Sequence, residues 1–487
     1  MGNNAINPCS LEQEVAQKAN ELVAQRILRE KQLLNLTLNR IVEGVKSHET
    51  EITTMVTATK GHCDKTLRQV VSDAIVSAAD ELLLCRDYSQ RSKGDQQVVV
   101  YTGSHWEPVA SPQWKDFVDK CAERCGLPEP QRKDHNFMNL LYENVAFNVK
   151  GHRMRMVPPN EVWLNVSNGT LEMKGDGSVV LREHRKEDMF TYTLPYSYDA
   201  QAECPLWHKF LDRVLPEPEA QLVLGEFIGY CLMPDHRLEK MLWLKGDGQN
   251  GKSVTLEIIE ELLGSPNVSY LSLSDLSNDA IKRAGIEGRM LNISHESGKD
   301  VNPNVLKQLA SGERVTIERK YKDPRDIDDY GKFCAAFNQL PRAEVTGGYF
   351  RRIIILPYNI TITEEEKDDQ LAQKLKGELS GILNWVLKTV PGLMKRGAFT
   401  ASSICKEAFN AYLMQSDNVR LFYSEMCEPQ EYTTHGAEIF KAYVNYCKDS
   451  LLYPIGRSNF YKRLEALTHS RVDYGNVAYF KLKLKES

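Results

Sequence analysis

The feature that most constrains this chain is a glycine-rich segment between a strand-like run and a helix-like run. Residues 246–253 read GDGQNGKS; the run MLWL ends shortly before them, and VTLEIIEELL follows. The spacing matches G-x-x-x-x-G-K-[ST], in which backbone N–H groups cradle phosphates at a strand-to-helix turn. Glycines permit that turn and leave room for phosphate oxygens. The segment therefore predicts a nucleotide site on an α/β fold; the alternative is a glycine-rich turn with a chance lysine.

Two side chains of this segment have predicted chemical roles. Lys252 would reach the β- and γ-phosphates, and the Ser253 hydroxyl would bind Mg²⁺. The helix that starts here would add the positive end of its dipole. We therefore expect ATP and Mg²⁺ as cofactors. The residues predicted to contact the nucleotide are Gly246, Asp247, Gly248, Gln249, Asn250, Gly251, Lys252, Ser253 and Val254.

Two later strand-like runs end in polar residues. The run MLNIS is followed by His295 and Glu296, and KFCAAF is followed by Asn338. A carboxylate at a strand end can orient Mg²⁺ and polarise the attacking water, which is the role predicted for Glu296. Asn338 is predicted to hold that water or to sense the γ-phosphate. The alternatives are surface polarity for Glu296 and a turn before Pro341 for Asn338.

A pair of arginines, Arg351 and Arg352, precedes the strand-like run IIILPY. An arginine that reaches from one subunit into the nucleotide site of its neighbour stabilises charge in the transition state. Either residue is a candidate for this role, and one of the two could instead form a structural ion pair.

The segment 311–331 has the pattern of a hairpin with a basic tip. Basic residues interleaved with an aromatic residue suit the phosphates and bases of single-stranded DNA. The alternative is a solvated charged surface. The tip contains Arg319, Lys320, Tyr321 and Lys322.

The order of patterns predicts an α/β chain of several domains. Strand-like and helical runs alternate from 240 to 360, which is typical of a mostly parallel sheet. Beyond 362 the pattern is helical to about 450. The predicted domains are a helical region at 1–95, an α+β domain at 96–204, the ATPase core at 205–362, a helical segment at 363–415 and a winged-helix-like domain at 416–487.

The two terminal regions leave alternatives open. Residues 1–95 have the composition of long helices, which could form an assembly module or only a packing layer. The C-terminal pattern of helix, helix and β-hairpin fits a winged helix that binds DNA, or one that only packs. Its candidate recognition helix carries Arg457, Asn459, Lys462 and Arg463.

Composition limits the classes of partner. The net charge is −5, so nucleic-acid binding must rely on local basic patches. Eleven cysteines without a CxxC pair favour a reduced, cytoplasmic protein. Cys121 and Cys125 have helical spacing and are interpreted as helical thiols rather than zinc ligands, although His135 is a loose third candidate. The N-terminus lacks the apolar core of a signal peptide, and no run is suited to cross a membrane.

This order of motifs resembles the superfamily 3 AAA+ helicases, and among them the phage and plasmid primase–helicases of the poxvirus D5 type. The resemblance covers about 97–400. It rests on the hairpin from Tyr101 to Trp106 and on the segments NVSNGTLEM, YSYDAQAECPLWHKFL, GEFIGYCLMPDHRLEKMLWLKGDGQNGKS, LNISHE, LKQLASGERVTIERKYKDP, FCAAFNQLP, YFRRIIILPY and QLAQKLKGELSGILNWVL.

The resemblance implies an AAA+ P-loop ATPase core and a role for each matching residue. The Walker A residues would be Gly246, Gly251, Lys252 and Ser253. Glu296 would be the Walker B carboxylate, Asn338 sensor 1, and Arg351 or Arg352 the arginine finger. Lys320 and Lys322 would line the central pore of a homo-hexamer that moves 3′ to 5′ on single-stranded or forked DNA.

Two departures from the family pattern shape the expected function. His295 stands where many relatives have an acid, and residues 1–95 offer no pair of metal-binding acids like that of a primase. We therefore expect a replicative helicase of a phage, plasmid or other mobile element, without primase activity, in a bacterial cytoplasm. A separate primase or polymerase is a further expected partner. The alternatives are an origin-binding initiator whose ATPase only switches assembly, and an ATPase that signals in antiviral defence.

Overall fold

The computed structural model describes the chain in several stretches, which fall into two compact units at 1–198 and 199–487. The described stretches are 32–59, 64–87, 96–149, 157–158, 161–295, 301–320, 323–341, 347–449, 454–475 and 477–485.

The first unit combines helices with two small sheets. Its described helices are α1 (32–44), α2 (Glu49–Thr59), α3 (Asp64–Ala79), α4 (Ser111–Cys125), α5 (Glu129–Lys133) and α6 (His135–Asn148). Its strands are β1 (Leu83–Asp87), β2 (Gln96–Tyr101), β3 (Trp106–Pro108), β4 (Val162–Val166), β5 (Gly169–Met173) and β6 (Val179–Arg182).

Both sheets of this unit are antiparallel, in the orders β1-β2-β3 and β4-β5-β6. The predicted hairpin from Tyr101 to Trp106 is confirmed, since these two residues pair. A second hairpin, within the segment NVSNGTLEM, pairs Val166 with Gly169. Gly169 has a φ of +152°, and a Cβ at this position would lie 2.3 Å from the carbonyl oxygen of Arg182. A glycine is therefore required where this hairpin turns.

The prediction that residues 1–95 are helical needs a correction. Residues 83–87 form a strand, because their partner β2 lies beyond the helices and Leu83 pairs with Val100. One buried apolar core runs from Leu34 in α1 to Val149 after α6. The described helices before 95 therefore share a core with the segment that follows them, and residues 1–31 lie outside the described part.

The second unit begins with the elements of a parallel sheet and its covering helices. The helices are α7 (Pro205–Val214), α8 (Pro218–Leu232), α9 (Lys252–Leu263), α10 (Leu273–Asn278), α11 (Ala280–Arg283), α12 (Pro303–Ala310) and α13 (Gly347–Phe350). The strands are β7 (Met241–Lys245), β8 (Val268–Ser269), β9 (Leu291–His295), β10 (Val315–Ile317), β11 (Arg325–Ile327), β12 (Lys332–Phe337) and β13 (Ile353–Pro357).

Five of these strands form one parallel sheet in the order β13-β7-β12-β9-β8. The first four residues of β7, Met241–Leu244, are fully buried, because helices cover both faces of such a sheet. Since the strands are parallel, their carboxyl ends meet at one edge and their amino ends at the other. The α/β pattern predicted for 240–360 is confirmed, and β10 and β11 form the predicted hairpin.

The rest of the second unit is helical and then mixed. Its elements are α14 (Leu371–Lys376), α15 (Leu379–Arg396), α16 (Ser403–Ser416), α17 (Asn418–Met426), β14 (Cys427–His435), α18 (Gly436–Asp449), α19 (Arg457–Thr468), β15 (Arg471–Tyr474) and β16 (Val477–Leu484).

The prediction of helix from 362 to about 450 is wrong at β14. This strand pairs with β16, which also pairs with β15, to give an antiparallel sheet in the order β14-β16-β15. One face of the sheet packs on α17, α18 and α19 through a buried core that includes Phe422, Tyr443, Phe460, Phe480 and Leu482. The helix, helix and hairpin order predicted for the C-terminal segment is present. Within the described stretches, no helix has both the length and the apolar character needed to cross a bilayer.

Candidate nucleotide-binding site

The loop between β7 and α9 has a shape that requires glycine at particular positions. Gly248 and Gly251 have φ angles of +107° and +85°. A Cβ on Gly246 would lie 2.1 Å from Nδ2 of Asn250 and 2.6 Å from the carbonyl oxygen of Tyr358. Gly246 is therefore required for space, whereas nothing lies within 4 Å of a Cβ on Gly248, which is required for its backbone angle.

Lys252 lies in the first turn of α9 and is only 7% exposed. Its Nζ donates to the carbonyl oxygen of Gly246, to Oδ1 of Asn250 at 3.1 Å and to Oδ1 of Asn338 at 3.3 Å. Burial lowers the pKa of Lys252, and the charge of Asp247 partly opposes this shift. The three hydrogen-bond acceptors are neutral oxygens. Lys252 therefore keeps a positive charge that its hydrogen-bond acceptors do not cancel. Its position in the first turn of a helix, beside a glycine-rich loop, suits it to bind the phosphates of a nucleotide.

Asn338 reaches Lys252 because the sheet places the end of β12 beside the end of β7. Phe337 pairs with Lys245, and the N–H of Gly246 donates to the carbonyl oxygen of Phe337 at 3.0 Å. The structure thus brings together two residues that lie 86 positions apart and that the sequence predicted for one site.

The segment after β13 holds the loop in place, and the sequence did not predict this contact. Nδ2 of Asn250 donates to the carbonyl oxygen of Tyr358 at 3.3 Å. The N–H of Ile362 donates to the carbonyl oxygen of Gln249 at 2.7 Å, and Nε2 of Gln249 donates to Oε1 of Glu364 at 3.2 Å. The only signal in the sequence is that this segment follows a strand of the same sheet.

The predicted metal ligands are only partly described. Ser253 is exposed in the first turn of α9. His295 ends β9 at the same edge of the sheet, and its ring lies nearly parallel to that of Tyr270, with centroids 6.3 Å apart. Glu296, the next residue, lies outside the described residues.

The two arginines before β13 have different surroundings. Arg352 is 4% exposed; its guanidinium lies 2.6 Å from Oε2 of Glu239 and donates to Oγ of Ser311 at 2.9 Å and to the carbonyl oxygen of Gly348 at 2.6 Å. The side chain of Arg351 is 66% exposed and lies 3.5 Å from the same carboxylate. Arg352 is therefore the structural ion pair of the two, and the prediction of Arg352 as a finger is corrected.

Both arginines lie at the amino edge of the sheet, opposite the nucleotide loop. Ile353 pairs with Met241, the first residue of β7, whereas the loop follows the last residue of that strand. The five residues of β7 span about 16 Å, which is more than an arginine side chain can bridge. Arg351 therefore cannot serve the nucleotide loop of its own chain.

The predicted DNA-binding hairpin is described only in part. Lys320 is exposed, and Tyr321 and Lys322 lie outside the described residues. Arg319 donates to Oε2 of Glu287 at 2.6 Å, a carboxylate that also pairs with Arg325. Arg319 is thus held by an ion pair at the base of the tip although its side chain is 46% exposed, and Lys320 is the other exposed cation among the described residues of the tip.

The candidate recognition helix α19 presents part of its predicted surface. Arg457, Asn459 and Lys462 are exposed, and the guanidinium of Arg457 lies 5.2 Å from the ring centre of Phe440. Arg463 is half-buried, with a nitrogen 3.8 Å from Oδ1 of Asp417, the residue that caps α17. Arg463 is thus partly held against the fold, and its role as a DNA contact stays a prediction.

The cysteines considered as zinc ligands lie in the core of the first unit. Cys121 and Cys125 are both fully buried on α4, and burial raises the pKa of the Cys121 thiol to about 12. His135 is exposed at the start of α6 and contacts Asn139. The structure does not bring these three side chains together as a metal site.

Two family models match this chain. The family described as "D5 N terminal like" matches residues 82–216, from β1 to the end of α7. The family described as "Family of unknown function (DUF5906)" matches residues 244–352, from the strand before the nucleotide loop to the buried arginine.

Two curated relatives are viral proteins. A protein of Acanthamoeba polyphaga mimivirus with the name "putative helicase" is 21% identical over 239 residues, which cover 46% of this chain and 24% of the relative. A protein of Invertebrate iridescent virus 6 with the same name is 22% identical over 284 residues, which cover 54% of this chain and 28% of the relative. The chain thus spans about a quarter of the length of these relatives.

Solved structures of the NrS-1 C-terminal region are also similar. One apo form is 12% identical and covers 70% of this chain and 74% of that chain, with a TM-score of 0.44. A second apo structure, of residues 305–718, is 10% identical and covers 85% of this chain and 98% of that chain, also with a TM-score of 0.44. No conclusion about this chain follows from similarity at this level.

The family resemblance is therefore supported from two directions. The D5 N-terminal match covers the segment before the nucleotide loop, and the viral relatives carry a helicase name. Both agree with the order of motifs along the sequence, and they support the resemblance of this chain to the D5-like primase–helicases.

Proposed function

We propose that this chain is an ATP-dependent DNA helicase that unwinds DNA during the replication of a phage, plasmid or other mobile element. The observation that carries the proposal is the buried Lys252, which lies in a glycine-shaped loop and is bonded to neutral oxygens and to Asn338. The helicase names of the viral relatives supply the type of work that ATP would drive.

The residues of the site have separate roles in this proposal. Lys252 exchanges its neutral acceptors for phosphate oxygens, and the backbone of residues 246–251 surrounds those oxygens. Ser253 and Glu296 are the residues proposed to hold Mg²⁺, which neutralises charge on the phosphates when it is bound. Asn338, beside Lys252, orients the attacking water.

The proposed assembly is a homo-hexameric ring with a nucleotide between neighbouring subunits. The support is the position of Arg351, which is exposed at the amino edge of the sheet and too far from the nucleotide loop of its own chain. An arginine in that position can act only on the nucleotide of another subunit. The guanidinium would then stabilise charge on the phosphates during hydrolysis.

The proposed substrate is single-stranded or forked DNA, held at the hairpin of β10 and β11 and moved 3′ to 5′. Lys320 is exposed at this hairpin, and Tyr321 and Lys322 complete the proposed contact with phosphates and bases. The proposed setting is the cytoplasm of a bacterial host, beside a separate primase or polymerase.

The experiment is a strand-displacement assay on forked DNA with ATP and Mg²⁺, run beside an ATPase assay. Wild-type protein should unwind DNA and hydrolyse ATP, and Lys252→Ala should lose both activities. Lys395→Ala, at an exposed lysine of α15, is the matched control and should resemble wild type. A wild-type protein that neither hydrolyses ATP nor assembles on DNA would rule out the proposal.

A second candidate function rests on the C-terminal domain. Arg457, Asn459 and Lys462 are exposed on α19, as a helix that reads the major groove requires. The chain would then be an origin-binding initiator whose ATPase switches assembly. ATP-dependent assembly on duplex DNA, without displacement of a strand from any fork, would favour this function over the first.

A further inference from the structure

The solvent face of the C-terminal sheet has an unusual composition. Along β16, Ala478, Phe480 and Leu482 are buried against the helices. The alternate residues Tyr479, Lys481 and Lys483 therefore lie on the opposite face of the sheet. Lys481 and Lys483 are exposed on this face, so its composition needs another explanation than core packing.

Three aromatic rings cross this face, one from each strand. His435 of β14 is the register partner of Tyr479, with ring centroids 5.2 Å apart. Tyr474 of β15 lies on the other side of Tyr479, with centroids 5.5 Å apart. Tyr474 is 66% exposed and His435 is exposed, whereas Tyr479 between them is half-buried. The rings form a continuous row across three strands, about 10 Å wide.

Lysines continue the row along β16. Lys481 is exposed, two residues beyond Tyr479. Lys483, two residues further, lies 3.0 Å from Glu428 of β14, and the two side chains are 56% and 48% exposed. An ion pair that is so exposed is weak and can be exchanged for a phosphate contact.

The neighbouring acids of β15 and α19 belong to the other face of the sheet. Arg471 and Asp473 are the register partners of Phe480 and Ala478, which are buried. Arg471 pairs with Asp473 and with Glu465 of α19. Arg471 therefore offsets the charge of one of these two carboxylates, and both lie toward the helix side of the sheet, away from the lysines.

We propose that His435, Tyr474, Tyr479, Lys481 and Lys483, called the sheet-face cluster, bind single-stranded nucleic acid. Unpaired bases would stack on the rings, and phosphates would contact the lysines. Duplex DNA is disfavoured as the ligand, because its bases are already stacked and a flat sheet does not enter the major groove. A protein partner is also disfavoured, because lysine is depleted at protein interfaces.

Cross-strand aromatic pairs also stabilise sheets, which is the competing explanation. That role does not require a ring as exposed as Tyr474, nor lysines next to the rings. The proposal goes beyond the proposed helicase function, because it adds a DNA contact outside the ATPase core that needs no ATP. A single strand of nucleic acid bound to the sheet-face cluster would stay attached to the protein while the hairpin of β10 and β11 releases its own contacts with that strand.

The test measures binding of a labelled, mixed-sequence single strand to the full chain without nucleotide, by fluorescence anisotropy. Tyr474→Ala should weaken binding roughly 5- to 100-fold, because a stacked base contributes about 1–3 kcal/mol. Tyr474→Phe keeps the ring and should restore binding. Tyr432→Ala is the matched control, since Tyr432 is an 82% exposed tyrosine of β14 outside the ring row. Lys481→Ala should make the salt dependence of binding less steep.

A second measurement locates the contact directly. A single strand containing 5-iodouracil should crosslink to Tyr474 or Tyr479, as mapped by mass spectrometry, with DNA and RNA strands tested in parallel to identify the natural sugar. The measurements are made in the Lys252→Ala protein, so failure of ATP hydrolysis would not affect them. The proposal is wrong if Tyr474→Ala binds as Tyr432→Ala does, if its loss is equal for duplex DNA, or if crosslinks fall only elsewhere.

Discussion

The buried cations at the two edges of the parallel sheet have different partners. At the carboxyl edge, Lys252 is buried among neutral oxygens in a loop that glycines keep open. At the amino edge, Arg352 is buried with a carboxylate, a hydroxyl and a carbonyl oxygen of its own chain. A buried cation whose counter-charge is built in stabilises the fold. One that lacks such a partner and lies in an open loop can bind an anionic ligand, so the partners of a cation and its access to solvent together distinguish structure from function here.

The largest effect should come from Arg351, the exposed cation of the amino edge. Arg351→Ala should lower the ATPase turnover number by about 10³-fold or more, with little change in ATP binding, because an arginine finger acts only in the transition state. If the arginine acts in trans, a mixture of Arg351→Ala and Lys252→Ala proteins should recover activity. In a mixed ring, the intact nucleotide loop of an Arg351→Ala subunit can lie beside the intact Arg351 of a Lys252→Ala neighbour.

The control for this prediction is Lys395→Ala, at the exposed lysine of α15. It should leave turnover unchanged. If Arg351→Ala hydrolyses ATP normally, or if the mixture stays as inactive as its components, the amino edge does not act on a neighbouring nucleotide.

Asn338 tests whether the carboxyl edge works as a unit. Asn338→Ala removes the side-chain partner of Lys252 at the end of β12. We expect turnover to fall by about 10²-fold, as for loss of one positioned polar group in an active site. Gln339→Ala, the exposed next residue, is the matched control. Equal activity of the two variants would remove Asn338 from the site.

Arg352 should affect stability rather than the affinity for ATP. Arg352→Met leaves the oxygen of Gly348 without its buried donor and removes the closer partner of Glu239, whose side chain is 42% exposed, and we expect the loss to cost about 2 kcal/mol. The midpoint of thermal unfolding should fall by roughly 4–8 °C, whereas Arg351→Met should hardly change it. If both variants melt at the same temperature, the two arginines do not differ as their exposure indicates.

Much of the fold could be predicted from sequence where the signal was local. The strand-loop-helix at 241–263 and the hairpins at Gly169 and 315–327 carry their own turn residues. Strand β1 was missed because its leucine-rich run also suits a helix, and only pairing with β2 makes it a strand. Strand β14 was missed because Glu, Pro and Gln are poor strand formers, and pairing with β16 overrides their preference.

The site was predictable to the same extent. Lys252 and its loop form one contiguous motif, and Asn338 follows a recognisable strand, so parallel pairing alone brings them together. Sequence could not separate Arg351 from Arg352, because the carboxylate that selects Arg352 lies 113 positions upstream, at Glu239. Nor could it place Ile362 against the loop, since that contact depends on how the chain leaves β13.

The smallest effect concerns Lys332, the amino-edge residue most like Lys252. It begins β12, is 3% exposed, donates to the carbonyl oxygen of Met233 at 2.6 Å and lies 4.8 Å from the ring centre of Tyr230. Burial lowers the pKa of Lys332 from 10.5 to about 8, and the nearby Asp235 carboxylate opposes this shift only weakly. Lys332 is enclosed by side chains such as Tyr230, whereas Lys252 lies beside the glycine-rich loop.

The pH dependence of stability should reveal this buried charge. Below about pH 8 the lysine is charged in both states, so the folded state bears the cost of burying it. Between about pH 8 and 10.5 only the unfolded state keeps the proton, and the stability of the wild type therefore rises with pH, by on the order of 3 kcal/mol at most. Lys332→Met should thus be more stable than wild type near pH 7, and this advantage should shrink by pH 10.

Urea unfolding of both proteins across this range measures the difference, with Lys395→Met as the control for loss of an exposed charge. If the free energy of unfolding differs between Lys332→Met and wild type by the same amount at every pH, Lys332 is not buried as a charged group. Lys332 could then no longer be compared with Lys252 as a second buried cation.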